Sequence, residues 1–344
     1  MKPISLTEPT VEEQQTSGAV KTLILGTRGS KLALWQSNWM ADRLRELSPT
    51  LEVELRIFTT QGDQIQDRPL KDVSTTGDEG IFVRELEEAL QRGEIDLAVH
   101  SLKDLPHLQP EGLTVPSIPS RVDVRDALLT REGKTLDELP QGARIGTGSA
   151  RRASQLLAYR PDFKILPLRG NVDTRIRKMT EGYQGFEYDA IILAAAGLDR
   201  LGRGGEITQR IPLNIMLPAP GQGALAPECR ADNTYVLELL AKLNLSEFQA
   251  AVECEKAFMA GLGGGCQTPV ACFAEVLMQK FVARGFVGQV DGSKTIHVEQ
   301  TEDFDGTVAQ AHRIGTLLAE AAKEQGAMQI LEDARTKGFT APRA

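Results

Sequence analysis

Twice along this 344-residue chain strand and helix patterns alternate, and each alternating block ends in a cluster of prolines; nothing else in the sequence narrows the choice of fold as far. From Thr22 the run TLIL reads as a strand. Ser30 then opens a helix whose Leu32, Trp35, Trp39 and Met40 share one face, and VELRIFTT follows as a second strand. A looser stretch from Gln61 to Gly80 precedes a helix beginning near Phe82, and DLAVH, ending at His100, reads as a buried strand. This succession predicts a mostly parallel sheet. After Pro110, Pro116 and Pro119 the pattern restarts with the strand DALLT, the helix ARRASQLLAYR, the strand KILPLRG, the helix VDTRIRKM and the strand AIILAAAG. Pro212, Pro218, Pro220 and Gly221 mark a second crossing, after which ALAPECR reads as a short strand returning to the first sheet. Two crossings predict a hinged cleft between two α/β domains.

Beyond Leu245 the pattern changes to a long helix (FQAAVECEKAFMAGL), a glycine-rich turn, the strands VACFAEV, KFVARGFVG and TIHVEQ, and a helix from Thr307 to Gln325 that Gly326 can cap. A segregated α+β domain is expected there. The fold class is therefore α/β, with two doubly wound domains followed by an α+β domain. Residues 21–118 with 222–240 are expected to form the first domain, 119–221 the second and 241–344 the third. Residues 1–20, polar and rich in Glu, Gln and Thr, read as a disordered tail without the features of a secretory signal or transit peptide.

Composition excludes several function classes. A net charge of −8 argues against a general nucleic-acid binder. No apolar run approaches the ~18 residues of a membrane span. The four cysteines match neither a zinc knuckle nor a disulfide framework, and the four histidines show no HExxH spacing, so free thiols, a reducing cytoplasm and no metal are expected. Without a sustained heptad or an exposed apolar stripe, the chain is expected to be a monomer.

The chemistry lies in the loops. Gly263, Gly264 and Gly265 precede Cys266, and Pro269 stops any helix, so this thiol is expected at the tip of a shaped turn. Covalent attachment of a bulky group suits such a thiol; a small residue packed into the turn is the plainer alternative. Thr27-Arg28-Gly29-Ser30 joins a strand to a helix start, where free N–H groups favour an anion. Thr147-Gly148-Ser149-Ala150-Arg151-Arg152 repeats the arrangement with paired arginines that oppose the helix dipole, for which a bound polyanion is the simplest partner. Arg169, Arg175 and Arg200 sit at comparable junctions, and strand ends in such sheets converge on one crevice. Guanidinium forks at so many junctions point to a ligand with several carboxylates or phosphates. With no GxxxxGK[ST] and no well-placed GxGxxG, a small polycarboxylate fits better than a nucleotide. Asp104, after the strand DLAVH and in His100-Ser101-Leu102-Lys103-Asp104-Leu105-Pro106, suits an ordinary turn residue; among arginines it also suits a proton shuttle that stabilises a cation.

Together and in this order, GTRGSKLALWQ, TTQGDQIQ, VHSLKDLP, RDALL, GTGSARRASQLL, LRGNVDTRI, ILAAAGLDRLG, PGQGAL and GGGCQTPVA resemble the motifs of the porphobilinogen deaminase (hydroxymethylbilane synthase) family, over most of residues 22–335. The resemblance implies two domains like those of type II periplasmic binding proteins and a third carrying a cofactor cysteine, here Cys266. That cysteine holds a dipyrromethane by a thioether. The implied enzyme is a transferase of tetrapyrrole (heme, chlorophyll) biosynthesis: it condenses four porphobilinogens head to tail with loss of ammonia and frees hydroxymethylbilane by hydrolysis. Asp104 matches the catalytic aspartate. Ser30, Lys103, Asp104, Thr147, Ser149, Arg151, Arg152 and Arg175 match cofactor-binding positions, and Arg28, Arg169 and Arg200 match positions that bind substrate carboxylates. Nucleic acid and membrane are not among the implied partners. Glu79 and Asp72 stand where relatives often carry lysine, so a lid over the crevice would repel carboxylates there; Gly148 replaces a frequent serine. Two other readings stay open on the residues alone: an anion-sensing module built from the hinged domains, which would leave Cys266 unmodified, and a nucleotide-dependent transferase.

Overall fold

The computed structural model describes residues 22–59, 83–106, 109–183, 185–265 and 268–337. The expectations for residues 1–20, the stretch Gln61 to Gly80 with Asp72 and Glu79, the helix start at Phe82, and Cys266 lie outside the described residues. Three sheets organise the chain.

The first has the order β2-β1-β3-β10-β4, from β1 (Thr22–Arg28), β2 (Glu52–Phe58), β3 (Leu97–Ser101), β4 (Leu113–Thr114) and β10 (Leu225–Arg230). The second has the order β7-β6-β8-β5-β9, from β5 (Asp126–Thr130), β6 (Arg144–Gly146), β7 (Lys164–Leu166), β8 (Ala190–Ala194) and β9 (Gln209–Arg210). Each contains three parallel strands, as expected, but β5 and β10 run antiparallel to their neighbours. Their register gives the reason. β10 begins with Leu225 opposite Ser101, at the C-terminal end of β3, and β5 begins with Asp126 opposite Ala194, at the C-terminal end of β8. A chain crossing between domains arrives at the edge where the parallel strands end, so its strand must run away from that edge.

Helices cover both faces of these sheets. α1 (Lys31–Leu47) is capped by Ser30, whose Oγ accepts from the Ala33 N–H at 3.2 Å. Its buried residues are Gln36, Ser37, Met40, Ala41 and Leu44, so the apolar face is rotated from the expected one. Trp35 stays 36 % exposed because its stripe turns toward the second domain, where Trp35 meets Arg200 and Leu32 lies over Gly197. α2 (Arg84–Gln91) covers the first sheet; α3 (Ala150–Tyr159) lies on one face of the second sheet, with α4 (Val172–Glu181) and α5 (Ala195–Arg200) on the other. α6 (Thr234–Leu243), unexpected from the sequence, is capped by Asn233 and adds Val236, Leu239 and Leu240 to the first core.

The third unit is the expected α+β one. Its strands β11 (Val270–Leu277), β12 (Lys280–Gly288) and β13 (Thr295–Asp303) form an antiparallel meander. Against it pack α7 (Ser246–Gly261) and α8 (Val308–Glu324), with Cys254, Phe258, Phe281 and Ile314 at the centre. A further helix, α9 (Ala327–Lys337), follows Gly326, whose φ of 93° turns the chain out of α8.

One buried cluster in the first domain is costly. The His100 ring Nε2 lies 3.1 Å from Glu228 Oε2, both side chains being inaccessible, and Glu87 from α2 joins them. One carboxylate oxygen each of Glu87 and Glu228 has no hydrogen-bond partner. Burial, reinforced by Glu228, pushes the Glu87 carboxyl up to about 7. The folded protein therefore binds a proton that the unfolded chain releases near pH 4.5, and stability falls as pH rises from there to about 7. Glu87→Gln is expected to flatten this slope and to make the protein more stable than its parent at pH 8; parallel pH profiles of urea midpoint for the two proteins would contradict that.

Candidate active site

The C-terminal ends of β1 and β3 point to one edge of the first sheet, and those of β6, β7 and β8 to one edge of the second. The residues singled out in the sequence occupy these edges. Arg28 ends β1, Lys103 and Asp104 form the turn after β3, Thr147 to Arg152 follow β6, and Arg169 and Arg175 follow β7. Lys31 of α1 pairs with Asp173 of α4 at 2.8 Å between the two edges.

Arg151 and Arg152 find a partner inside the protein. Asp126, wholly buried at the start of β5, receives Arg151 Nη1 on Oδ2 at 2.7 Å and Arg152 Nη2 and Nε on Oδ1 at 2.7 and 3.0 Å. The pair therefore has an internal counter-charge that the sequence did not reveal: one carboxylate serves both guanidiniums and leaves a surplus positive charge. Burial alone would raise the Asp126 carboxyl, but Arg151 and Arg152 hold it well below the usual carboxylate range. Arg151 also donates to Leu217 O at 2.7 Å and Arg152 to Ile192 O at 3.1 Å.

The second crossing, Gly221 to Gly223, is bonded to every domain. The Gly221 N–H donates to Glu255 of α7 at 2.7 Å. Gln222 Nε2 donates to Val124 O and Asp126 Oδ1 at 2.7 and 3.1 Å, and its Oε1 accepts Lys103 Nζ at 3.2 Å. Arg200 Nη2 donates to Gly223 O at 2.7 Å. Both glycines have positive φ (73° and 87°), and a Cβ on Gly223 would fall 2.6 Å from Val122 O. Arg121, on the first crossing, pairs with Glu255 through two bonds of 2.8 and 3.0 Å.

The cations here are short of counter-charge. Burial lowers Lys103 to about 8, although Asp104 works against it, and lowers Arg175 and Arg200 to about 10. Arg200 is the clearest case: its Nε is buried without a hydrogen-bond partner, and Trp35 covers its guanidinium at 5.8 Å. It also departs from the expected helix-start position, lying instead in the last turn of α5, where the dipole favours a cation.

Smaller groups complete the edge. Ser149 caps α3, accepting from the Arg152 N–H at 3.4 Å, and Thr147 is buried beneath it. Ser30 and Ser149 act as acceptors in their caps, which leaves each hydroxyl hydrogen available to a carboxylate. The Gly148 position is tight: a Cβ would lie 2.9 Å from Leu168 O, so any side chain there would have to push this loop apart. Arg175 donates to Gly170 O at 2.7 Å, and Lys178 to Arg169 O at 3.2 Å, fixing the loop that carries Arg169. Asp104 is exposed at the rim. No group of acids, histidines and cysteines among the described residues has a metal-binding arrangement.

Sequence reasoning missed Asp126, Gln222, Arg121 and Glu255 as parts of this network. The available signal was an acid opening the otherwise apolar strand DALLT just before a paired-arginine helix. Asp126→Ala is expected to destabilise the protein by about 3–5 kcal/mol, since it leaves two buried guanidiniums unpaired. Chemical denaturation measures this; a loss under about 0.5 kcal/mol, typical of surface changes, would show that Asp126 is not their counter-charge.

Comparison with known proteins gives a consistent answer. Residues 23–238 match the family model described as "Porphobilinogen deaminase, dipyromethane cofactor binding domain", and residues 249–324 the one described as "Porphobilinogen deaminase, C-terminal domain". Porphobilinogen deaminase of Brevibacillus brevis is 48% identical over 310 residues, covering 90% of this chain and 96% of that protein. The Syntrophotalea carbinolica protein of the same name is 48% identical over 309 residues, covering 90% and 95%. Among solved structures, a periplasmic binding protein of Salmonella typhimurium with high arginine specificity aligns at 12% identity and TM-score 0.35, over 65% of this chain and 91% of its own. Two family models covering most of the chain and relatives 48% identical to it show that the chain belongs to the porphobilinogen deaminase family.

Proposed function

We propose that this protein is a hydroxymethylbilane synthase whose condensation site is the cation-lined crevice described above. Family membership carries the reaction: porphobilinogen units are joined with loss of ammonia in tetrapyrrole synthesis. For the site, the supporting observation is Arg200, a buried guanidinium whose Nε lacks a partner and beside which no carboxylate among the described residues is paired. A buried cation in that state favours an anionic ligand. The acetate and propionate groups of a pyrrole, and so of a dipyrromethane, fit this requirement.

In this reading Lys103, Arg151, Arg152 and Arg175, with Ser30, Thr147 and Ser149, hold the cofactor carboxylates, and Cys266 forms the thioether. Arg28, Arg169 and Arg200 hold the carboxylates of incoming porphobilinogen. Once bound, the dipyrromethane supplies the ring to which the first substrate is joined. Asp104, adjacent in charge to Lys103 and Arg175, faces the reacting aminomethyl group. When the substrate C–N bond breaks, its electron pair leaves with ammonia and positive charge spreads over the pyrrole. The Asp104 carboxylate offsets that charge and accepts the ring proton released after the new C–C bond forms. Asp126 keeps Arg151 and Arg152 in place while their surplus charge attracts carboxylates.

We also propose domain limits after residues 118 and 221, which the entry points of β5 and β10 support; the limit expected after residue 240 moves to the end of α6, because Leu243 still packs on the first core. A cytoplasmic monomer is proposed as well. The free, buried thiols of Cys229, Cys254 and Cys272 support a reducing compartment.

Two variants test the site. Cys266→Ser is expected to give folded protein lacking the added mass of two linked pyrroles, because a neutral hydroxyl does not replace the thiolate nucleophile. Intact-mass and peptide spectra decide this, and an adduct on Cys229, Cys254 or Cys272 would refute the assignment. Asp104→Asn is expected to keep the adduct while kcat falls by a factor on the order of 10² or more. Near-normal turnover at saturating porphobilinogen would place the proton transfer elsewhere.

A further inference from the structure

We propose that Gln222 is a positioning residue of the condensation site, whose single side-chain amide holds Lys103 of the first domain in register with the Asp126–Arg151–Arg152 cluster of the second. The proposal rests on the reading of Lys103, Arg151 and Arg152 as carboxylate-binding groups. Gln222 is 1 % exposed, and its two ends have opposite hydrogen-bonding character. Oε1 takes the Lys103 ammonium at 3.2 Å, while Nε2 donates to Asp126 Oδ1 at 3.1 Å and Val124 O at 2.7 Å. An amide in this site cannot be flipped without setting N–H against ammonium and carbonyl against carboxylate. Its backbone is equally fixed: the Gln222 carbonyl accepts Arg121 Nε at 3.4 Å, and the glycines on either side occupy left-handed conformations.

This arrangement makes Gln222 more than a filler. Around Lys103 stand the negative Asp104 and Asp126 and the positive Arg151 and Arg152, and Asp126 is already committed to both guanidiniums. A neutral acceptor therefore anchors the ammonium at the crevice without neutralising it. A carboxylate at this position would neutralise the ammonium and compete for the arginines.

The test uses full-length holoenzyme with lysines reductively ¹³C-methylated, the Lys103 signal being assigned by its loss in Lys103→Arg. Gln222→Glu is expected to move the Lys103 titration upward by about one unit or more, and the alkaline limb of kcat/KM with it, because a charged acceptor favours the ammonium. Gln222→Leu is expected to lower adduct occupancy, because the groups it positions hold the cofactor carboxylates, and to raise KM for porphobilinogen about tenfold. If both variants fold, as judged by circular dichroism, and the Lys103 titration and KM match the parent, Gln222 is structural filler and the proposal fails. Should either misfold, the unsubstituted protein carrying ¹⁵N-labelled glutamine is read instead. Its Gln222 side-chain amide signals must shift with Lys103 between about pH 7 and 9, and constancy there overturns the proposal. Lys103→Gln separates the underlying reading: unchanged adduct occupancy and KM in that variant would refute carboxylate binding by Lys103 while leaving any titration shift in Gln222→Glu intact.

Discussion

The structure depends on one buried ion pair and the peptide segment it secures. Glu255 is completely inaccessible, and burial pushes its carboxyl up while Arg121 opposes the shift. Such a group is tolerable only when its oxygens are engaged. Here they take two bonds from Arg121 of the first crossing, one from the Gly221 N–H of the second crossing and one from the Ala274 N–H of β11. Both crossings and the third domain therefore share one carboxylate. Because Gly221 to Gly223 also contacts Lys103, Asp126 and Arg200, the geometry of the crevice is set from this anchor outward.

The proposed site is built on under-compensation of charge. A wholly paired set of buried ions would stabilise the protein and bind little. Asp126 is shared between two guanidiniums, Gln222 gives Lys103 a neutral partner, and Arg200 has carbonyl and indole neighbours in place of a carboxylate. In the proposed reading each of these arrangements leaves binding capacity for an anion at some expense in stability, as functional sites commonly do.

Much of the architecture was legible because its signals are local. Alternating strand and helix patterns, the caps at Ser30 and Ser149 and the proline clusters at the crossings all act over a few residues. The antiparallel entry of β5 and β10 was not legible, since it follows from where a returning chain meets the cleft. The same limit applied to the site. Arginines at strand ends raise the expectation of an anion site, but Asp126 reads locally as the first residue of an apolar strand and Gln222 as part of a glycine turn. Their meaning appears only when residues far apart in sequence share one buried volume. α9 was hidden for a different reason: Gly326 suits a helix end, and the sequence alone does not say that a second helix starts at once.

The place of β10 between β3 and β4 bears on how the protein is made. Every strand of the second sheet lies between Asp126 and Arg210, so that sheet can close as soon as this stretch has been synthesised. The first sheet, although begun at Thr22, keeps β3 as an unpaired edge until Leu225–Arg230 has emerged from the ribosome. Order of completion thus reverses order of synthesis. The half of the protein made earliest waits for the other to fold, and during that interval Leu97, Ala98 and Val99, inaccessible in the finished enzyme, stand on an open edge within reach of chaperones or of another nascent chain.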